Sequence, residues 1–355
     1  MKTIHRSIFG ELLGTFAIGL FALNVVLMAE RVFRLMRSLS AVGAPLAETA
    51  RIVLYLQPQL AVVSTPMALL LAVLLTYGRL NAESELVVLR ASGMSFRSIS
   101  RPVFALGALA FLASGAMSFF VAPAASQRLR AMLEELITQR AHYAIEEGIF
   151  NDDFKDVIIY TRRKPAPDAF EGVFIYDRRK PGRPIVVYAR EGRVLKGSAE
   201  GITFRLTDGH IHMVSGQRVT DLSFGSYDLL VPVAIHNPTR LYNELTPAGL
   251  LREARGKKGR SRVKLLLEFH RRLSLPALCL LLMLFAPPLA MRSGRTGRMG
   301  GLVTGFLVFA AYYAAVLYGE NLALSGHLPV WAAAWMPAAA LGTAALLVFH
   351  REEKK

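Results

Sequence analysis

Glu83–Ser84–Glu85–Leu86–Val87–Val88–Leu89–Arg90–Ala91–Ser92–Gly93 lies between two apolar segments long enough to cross a bilayer. The stretch is too polar for hydrocarbon and too apolar for a plain solvated loop. From Asn81 to Ala91 it holds no Gly or Pro, which predicts a helix over 81–93 of roughly two to three turns, ended by Gly93. Leu86 and Leu89 share a face with Ala82, while Glu85 and Ser92 point elsewhere. Two readings fit such a helix: a surface offered to a soluble partner, or a cytoplasmic linker resting on lipid headgroups.

The whole chain is apolar in blocks. Of its 355 residues 53% are hydrophobic, too many for a soluble protein of this length. Cys279, the single cysteine, lies in an apolar run, so there is neither a disulfide framework nor a cysteine metal cluster. The formal charge of +16 fits nucleic acid, acidic lipid or basic cytoplasmic loops. The apolar blocks argue against nucleic acid.

Six spans are expected. The first runs from Ile8 to Met36; Glu30, Arg31 and Arg34 follow its apolar core where a signal peptide would have a small-residue cleavage site. The second covers Leu60–Tyr77, or starts at Ile52 with Pro58 as a kink or interfacial break. The others are Pro102–Ala125, Leu273–Met291, Gly300–Gly319 and Leu328–Phe349. With the N-terminus inside, Lys2, Arg6, Arg79, Arg90, Arg97, Arg101, Arg292, Arg295, Arg298, Arg351, Lys354 and Lys355 are cytoplasmic, as the positive-inside rule requires. Both ends are then inside and the middle domain outside. Arg31, Arg34, Arg37 and Arg51 sit on the disfavoured side, which points to another use for them.

Between the third and fourth spans the pattern is β. Asp156–Tyr160, Gly172–Tyr176, Pro184–Tyr188, Thr203–Thr207, His210–Val214 and Asp221–Phe224 are short β-branched, aromatic or alternating runs, and Asp177–Gly182 is a turn. They predict a sandwich or jelly roll. Gln127–Ala144 and Thr246–Arg255 are more helix-like, the latter with a Thr-Pro start. The fold class is therefore membrane α plus β. Residues 1–125 hold three spans and the amphipathic helix, 126–264 an inserted jellyroll-like domain, and 265–355 three more spans.

Enzyme signatures are missing. There is no GxxxxGK[ST] loop for ATP, and no HExxH, GxSxG or cysteine pair. His210 and His212 face one side of a strand, but no third ligand lies near, and solvent-facing strand residues are the better reading. Glu268–Phe269–His270–Arg271–Arg272 reads as a charged interfacial anchor with internal ion pairs.

Three spans, a β domain and three spans at this length is the plan of the LptF/LptG permeases of the lipopolysaccharide exporter, and the motifs go further. Tyr77–Gly93 resembles that family's coupling-helix segment, Glu268–Arg272 with Pro276 its approach to the fourth span, and Arg292–Arg298 its loop between spans four and five. Glu83–Ser84–Glu85 and Phe154–Lys155–Asp156–Val157 lean towards LptF over LptG.

The resemblance implies a multi-pass protein of the bacterial inner membrane with a periplasmic β domain. It would pair with the sister permease on a dimer of the ATPase LptB, which binds the ATP and Mg, so this chain would need no cofactor. Lipopolysaccharide would enter sideways and pass to LptC and LptA. The resemblance matches Glu85 to the coupling carboxylate, beside Glu83 and Arg90, with Leu86 and Leu89 packing on LptB. It implies that Arg31, Arg34 and Arg37, with Arg271 and Arg272 at similar depth, contact lipid A phosphates, bidentate contact being what arginine favours; snorkelling arginines on ordinary phospholipid are the alternative. Phe174, Tyr176, Val187, Phe204, Leu206 and Ile211 become candidates for core or acyl-chain groove, and an exposed strand edge would hand the lipid on by β-augmentation. Rival classes fit less well. An FtsX- or MacB-type permease has four spans with its outside domain after the first, a membrane receptor needs a cytoplasmic output domain, and an intramembrane enzyme needs a catalytic pair within a span.

Overall fold

A computed structural model describes residues 2–41, 46–140, 147–154, 156–166, 168–179, 184–195, 202–215, 218–231, 242–293 and 297–354. Of these, the side chains of residues 2, 33–41, 46, 133–140, 152–154, 202, 214, 215, 218, 219, 292, 293, 297–299, 301 and 302 are outside the description. The chain forms two compact units. One holds residues 1–30, 55–127 and 238–355; the other holds 31–54 and 128–237.

Apolar length dictates the first unit. The helices are α1 (Lys2–Ala41), α2 (Leu46–Ala82), α3 (Glu85–Ala91), α4 (Phe96–Ala116), α5 (Ala122–Arg140), α6 (Pro247–Gly256), α7 (Gly259–Ser293), α8 (Gly297–Leu324) and α9 (Val330–Glu353). Among the described residues six segments are long and apolar enough to cross a membrane: Thr3–Val32, Ala47–Ala82, Phe96–Met132, Gly259–Met291, Val303–Leu324 and Val330–Glu353. All six expected spans are present, each longer than its apolar core. α2 runs through Pro58 and Pro66, so Pro58 ends nothing. The third span and the helix-like stretch after it are one rod, because a π-helical turn, Met117–Val121, joins α4 to α5. In that turn Ser118 Oγ donates to the Arg272 carbonyl at 3.1 Å.

The core of this unit is a cluster from α1, α2, α3, α4, α7, α8 and α9, including Leu12, Leu70, Tyr77, Leu86, Ile99, Leu106, Leu282 and Ala338. Tyr77 Oη reaches the Ile99 carbonyl at 2.6 Å and braces α2 on α4. Small residues allow close approach elsewhere: a Cβ at Gly319 would stand 2.7 Å from the Ala333 carbonyl oxygen. Thr246 caps α6, accepting from Gly249 N–H at 3.2 Å, and Leu250 and Ala254 pack on Leu265 of α7. Residues 247–264, placed with the β domain by hydropathy, belong to this helical unit.

The second unit contains a six-stranded antiparallel sheet in consecutive order: β1 (Phe150–Phe154), β2 (Val157–Ala166), β3 (Ala169–Asp177), β4 (Ile185–Val194), β5 (Ile202–Ser215) and β6 (Arg218–Val231). The β class is as expected, but the order is a single meander, with no second facing sheet among the described residues. Thr203–Thr207 and His210–Val214 are one strand. Asp208–Gly209 looks like a turn in sequence, yet β5 pairs with β4 and β6 in unbroken register through it.

The alternation of inward and outward side chains changes phase there. Phe204, Leu206, then Gly209 and Ile211 are buried, and Thr207 and Asp208 both face out. The same doubled outward pair occurs at Arg162–Arg163, Arg190–Glu191 and Gly225–Ser226, and the ladder aligns all of them with Glu171–Gly172. This line is a crease across β2 to β6. Gly172 and Asp208 take positive φ of 63° and 51° on it. The crease explains how one sheet buries Ile175, Leu206 and Val231 completely, in a cluster drawn from β2 to β6. Arg179, after β3, accordingly reaches the Leu230 carbonyl of β6 at 2.8 Å, while its guanidinium pairs with Asp177. On the surface Arg205 and Asp228 form a double hydrogen bond at 2.8 Å, which holds the carboxyl below its usual range.

Gly107 of α4 lies so close to α7 that an added Cβ would stand 2.6 Å from Met283 Cβ. Gly107→Ala is expected to cost about 1–3 kcal/mol. This would be read as a lower Tm of the detergent-purified chain, and Met283→Gly in the same background, which removes the clashing Cβ, would relieve the steric part of the loss while adding its own cost as a helix glycine.

Candidate functional site

α2 does not continue into the amphipathic helix. Ser84 adopts a left-handed φ of 60°, and the chain turns between α2 and α3. The helix is therefore shorter than expected: Asn81 and Ala82 belong to α2, and α3 begins at Glu85. Val87 and Val88 N–H both donate to the Ser84 carbonyl at 3.1 Å. Gly93, at φ 84°, ends the helix as its residue type predicts. Ser95 then caps α4, its hydroxyl accepting from Ser98 N–H at 3.3 Å.

Two faces of α3 have different fates. Leu86 is buried and Leu89 half-buried, both packed against the chain's own helical core. They anchor α3 from behind, on the chain's own core, where packing on a partner was expected of them. Val87 and Val88 are 60% and 66% exposed. Arg90 also turns inward: its guanidinium lies 5.7 Å over the Phe96 ring and 3.6 Å from Met291 Sδ. Asn81 Nδ2 donates to the Met291 carbonyl at 2.8 Å, fixing the turn to the end of α7.

One cation organises the acidic residues. Arg79 Nε and Nη2 are each 2.7 Å from a carboxylate oxygen of Glu11 in α1, a bidentate pair. Arg79 Nη1 contacts Glu83 and stands 3.4 Å from Glu85 Oε1. Glu83 and Glu85 remain half-exposed, with 49% and 50% of their side chains accessible. Glu11 and Arg79 are 68 residues apart in the chain, and their contact has no local sequence signal.

The charged approach to α7 divides between two neighbouring arginines. Arg272 is buried, and its donors are engaged inside the chain. Nε meets Glu268 at 3.0 Å, Nη2 donates to the Tyr242 and Asn243 carbonyls at 2.8 and 3.0 Å, and Nη1 donates to the Leu245 carbonyl. The phosphate role expected of Arg272 conflicts with this: it staples residues 242–245 to α7. Helical spacing carried the signal, since Leu265, Glu268, Arg272, Leu275, Cys279 and Leu282 form one stripe. Arg271 points elsewhere, half-buried, with Nη2 3.5 Å from Tyr313 Oη. Arg31 is exposed in α1. The side chains of Arg34 and Arg37 lie outside the described residues, though the helix continues through both positions.

Of the six groove candidates, Val187, Phe204, Leu206 and Ile211 are in the sheet's buried cluster. Phe174 and Tyr176 are half-buried on the opposite face. His210 Nδ1 is 3.1 Å from Ser223 Oγ and His212 Nδ1 2.6 Å from Asp221 Oδ1. Among the described residues no three His, Cys, Asp or Glu side chains gather as a metal site would need.

The sequence model of the family described as "Lipopolysaccharide export system permease LptF/LptG" matches residues 6–351, nearly the whole chain. The chain belongs to this family. No curated protein matches it. As an LptF/LptG family member with six apolar helices it is a multi-pass inner-membrane permease subunit of lipopolysaccharide export.

Arg272→Ala in this permease is expected to lower stability by about 3–5 kcal/mol, because Glu268 and three carbonyls lose their buried partner. Arg271→Ala is expected to stay within about 1 kcal/mol. Thermal unfolding of the two detergent-solubilised variants against wild type distinguishes them.

Proposed function

We propose that this chain is an LptF-type half of the exporter and that α3 docks on an LptB-type ATPase. The observation carrying this reading is the anchored helix: Leu86 and Leu89 hold it from behind, while Val87, Val88, Glu83 and Glu85 remain accessible. A short helix with an apolar outer pair beside carboxylates suits a groove with a basic rim. A charge-assisted contact of Glu85 there contributes about 1.5–3 kcal/mol if partly buried. ATP and Mg are held by the ATPase. The LptF assignment rests on Glu83–Ser84–Glu85 and Phe154–Val157.

The termini lie in the cytoplasm and the sheet in the periplasm, which short-loop charge supports. Lipopolysaccharide enters between this chain and its sister permease. Arg31, Arg34 and Arg37, and separately Arg271, meet its phosphates. The sheet hands the lipid to LptC and LptA. Its long edge strand β6 has one paired neighbour among the described residues, β5, and suits β-augmentation.

Co-expression with an LptB-type ATPase and the sister permease tests the reading. Glu85→Ala, and separately Val87→Asp with Val88→Asp, are expected to reduce complex recovery or lipopolysaccharide-stimulated ATP hydrolysis at least tenfold. Wild-type recovery and coupled hydrolysis in both variants would remove α3 from the docking role. Failure of the wild-type chain to associate with such an ATPase would overturn the assembly itself.

A further inference from the structure

The outer face of the sheet carries an aromatic row that core packing does not account for. The ladder places Phe150, Tyr160, Phe174 and Tyr188 opposite one another on β1 to β4, and continues to His210 on β5 and Ser223 on β6. Ring centroids are 4.9 Å apart for Phe150–Tyr160, 6.1 Å for Phe150–Phe174 and 5.1 Å for Phe174–Tyr188. Phe150 and Tyr188 are 62% and 53% exposed. The solvated face of an antiparallel sheet is ordinarily polar, so two exposed rings joined through the half-buried Tyr160 and Phe174 point to a binding surface.

The neighbours of the row are charged and polar. Arg162 and Arg190, both exposed, stand two residues on from Tyr160 and Tyr188 and so on the same face. Arg190 is 3.7 Å from Asp208 in an open pair that a stronger anion could replace. At the β5–β6 end, the His210–Ser223 and His212–Asp221 pairs offer a hydroxyl, imidazoles and a carboxylate.

We propose that this row binds the phosphorylated saccharide of the exported lipopolysaccharide. The inference rests on the transport reading above, in which the cargo is a lipid joined to a saccharide. A sugar ring presents a flat C–H face that an aromatic π-face accepts. Phosphates on the sugar would meet Arg162 and Arg190, and ring hydroxyls the His210, Ser223 and Asp221 groups. An acyl chain would leave the arginines and the polar end without partners.

The test uses the assembled exporter in nanodiscs and fully deacylated lipopolysaccharide as probe, which keeps saccharide and phosphates but has no lipid. Wild type is expected to bind it. Tyr188→Ala and Phe150→Ala should each weaken binding about tenfold, with unchanged Tm, and Tyr188→Phe should retain it. Arg190→Ala should weaken binding of the phosphorylated probe and leave the dephosphorylated one unaffected. If Tyr188→Ala unfolds, the more exposed Phe150→Ala decides. Wild-type affinity in both ring variants overturns the proposal, even if the variants lose binding to lipid vesicles or to a second copy instead. So does an exporter that binds intact lipopolysaccharide but not the deacylated probe, a result that leaves the transport reading standing. Binding of neither form overturns both.

Discussion

Hydrocarbon offers the backbone no hydrogen-bond partner, and the irregular segments of this chain are placed accordingly. The turns at Ser84 and Gly93 lie between spans. The one departure from α geometry described inside a span is the π-helical turn at Met117–Val121, and it is tied to the neighbouring helix through Ser118 and the Arg272 carbonyl. Arg272 extends the logic to a charge. Its guanidinium is out of water, so it takes a carboxylate and three carbonyls with it. Residues 242–245 are thereby fixed at the mouth of α7.

The same constraint made the spans easy to read. Twenty apolar residues in a row have few other solutions, so all six were found, and charge bias supplied an orientation. The site was only half legible. Gly93 named the end of α3, but the break at Ser84 was hidden, because a serine in the left-handed region has no sequence mark. Leu86 and Leu89 were correctly seen as one apolar face; that this face turns back onto the chain depends on where Ile99 and the other helices lie. Arg271 and Arg272 look alike in sequence, and only continuing the α7 stripe backwards separates them. In the sheet, Asp208–Gly209 carries a turn signature and sits in mid-strand, since the unbroken pairing with β4 and β6 overrides the local preference.

The acidic face of α3 is also more constrained than its exposure implies. Arg79 balances three carboxylates, and its shortest described ties to α1 are the two to Glu11. A partner's cation arriving at Glu85 would compete with the longest of these contacts, 3.4 Å, and leave the bidentate one intact. The helix can therefore exchange its outer ion pair without loosening the inner one.

The crease across the sheet has a consequence for how the strands find one another. In a plain alternating strand, a slip of two residues keeps every side chain on its own face, so only a slip of one is punished. Here two consecutive residues face outward at the same level on five adjacent strands. A slip of one would turn both halves of β5 inside out. A slip of two would push Leu206 or Gly209 onto the outward line and move Gly209 away from the Tyr188 carbonyl, where a Cβ would stand 2.3 Å from the oxygen. Neither misalignment is neutral, so the irregularity that blurs the sequence pattern leaves the sheet a single way to align.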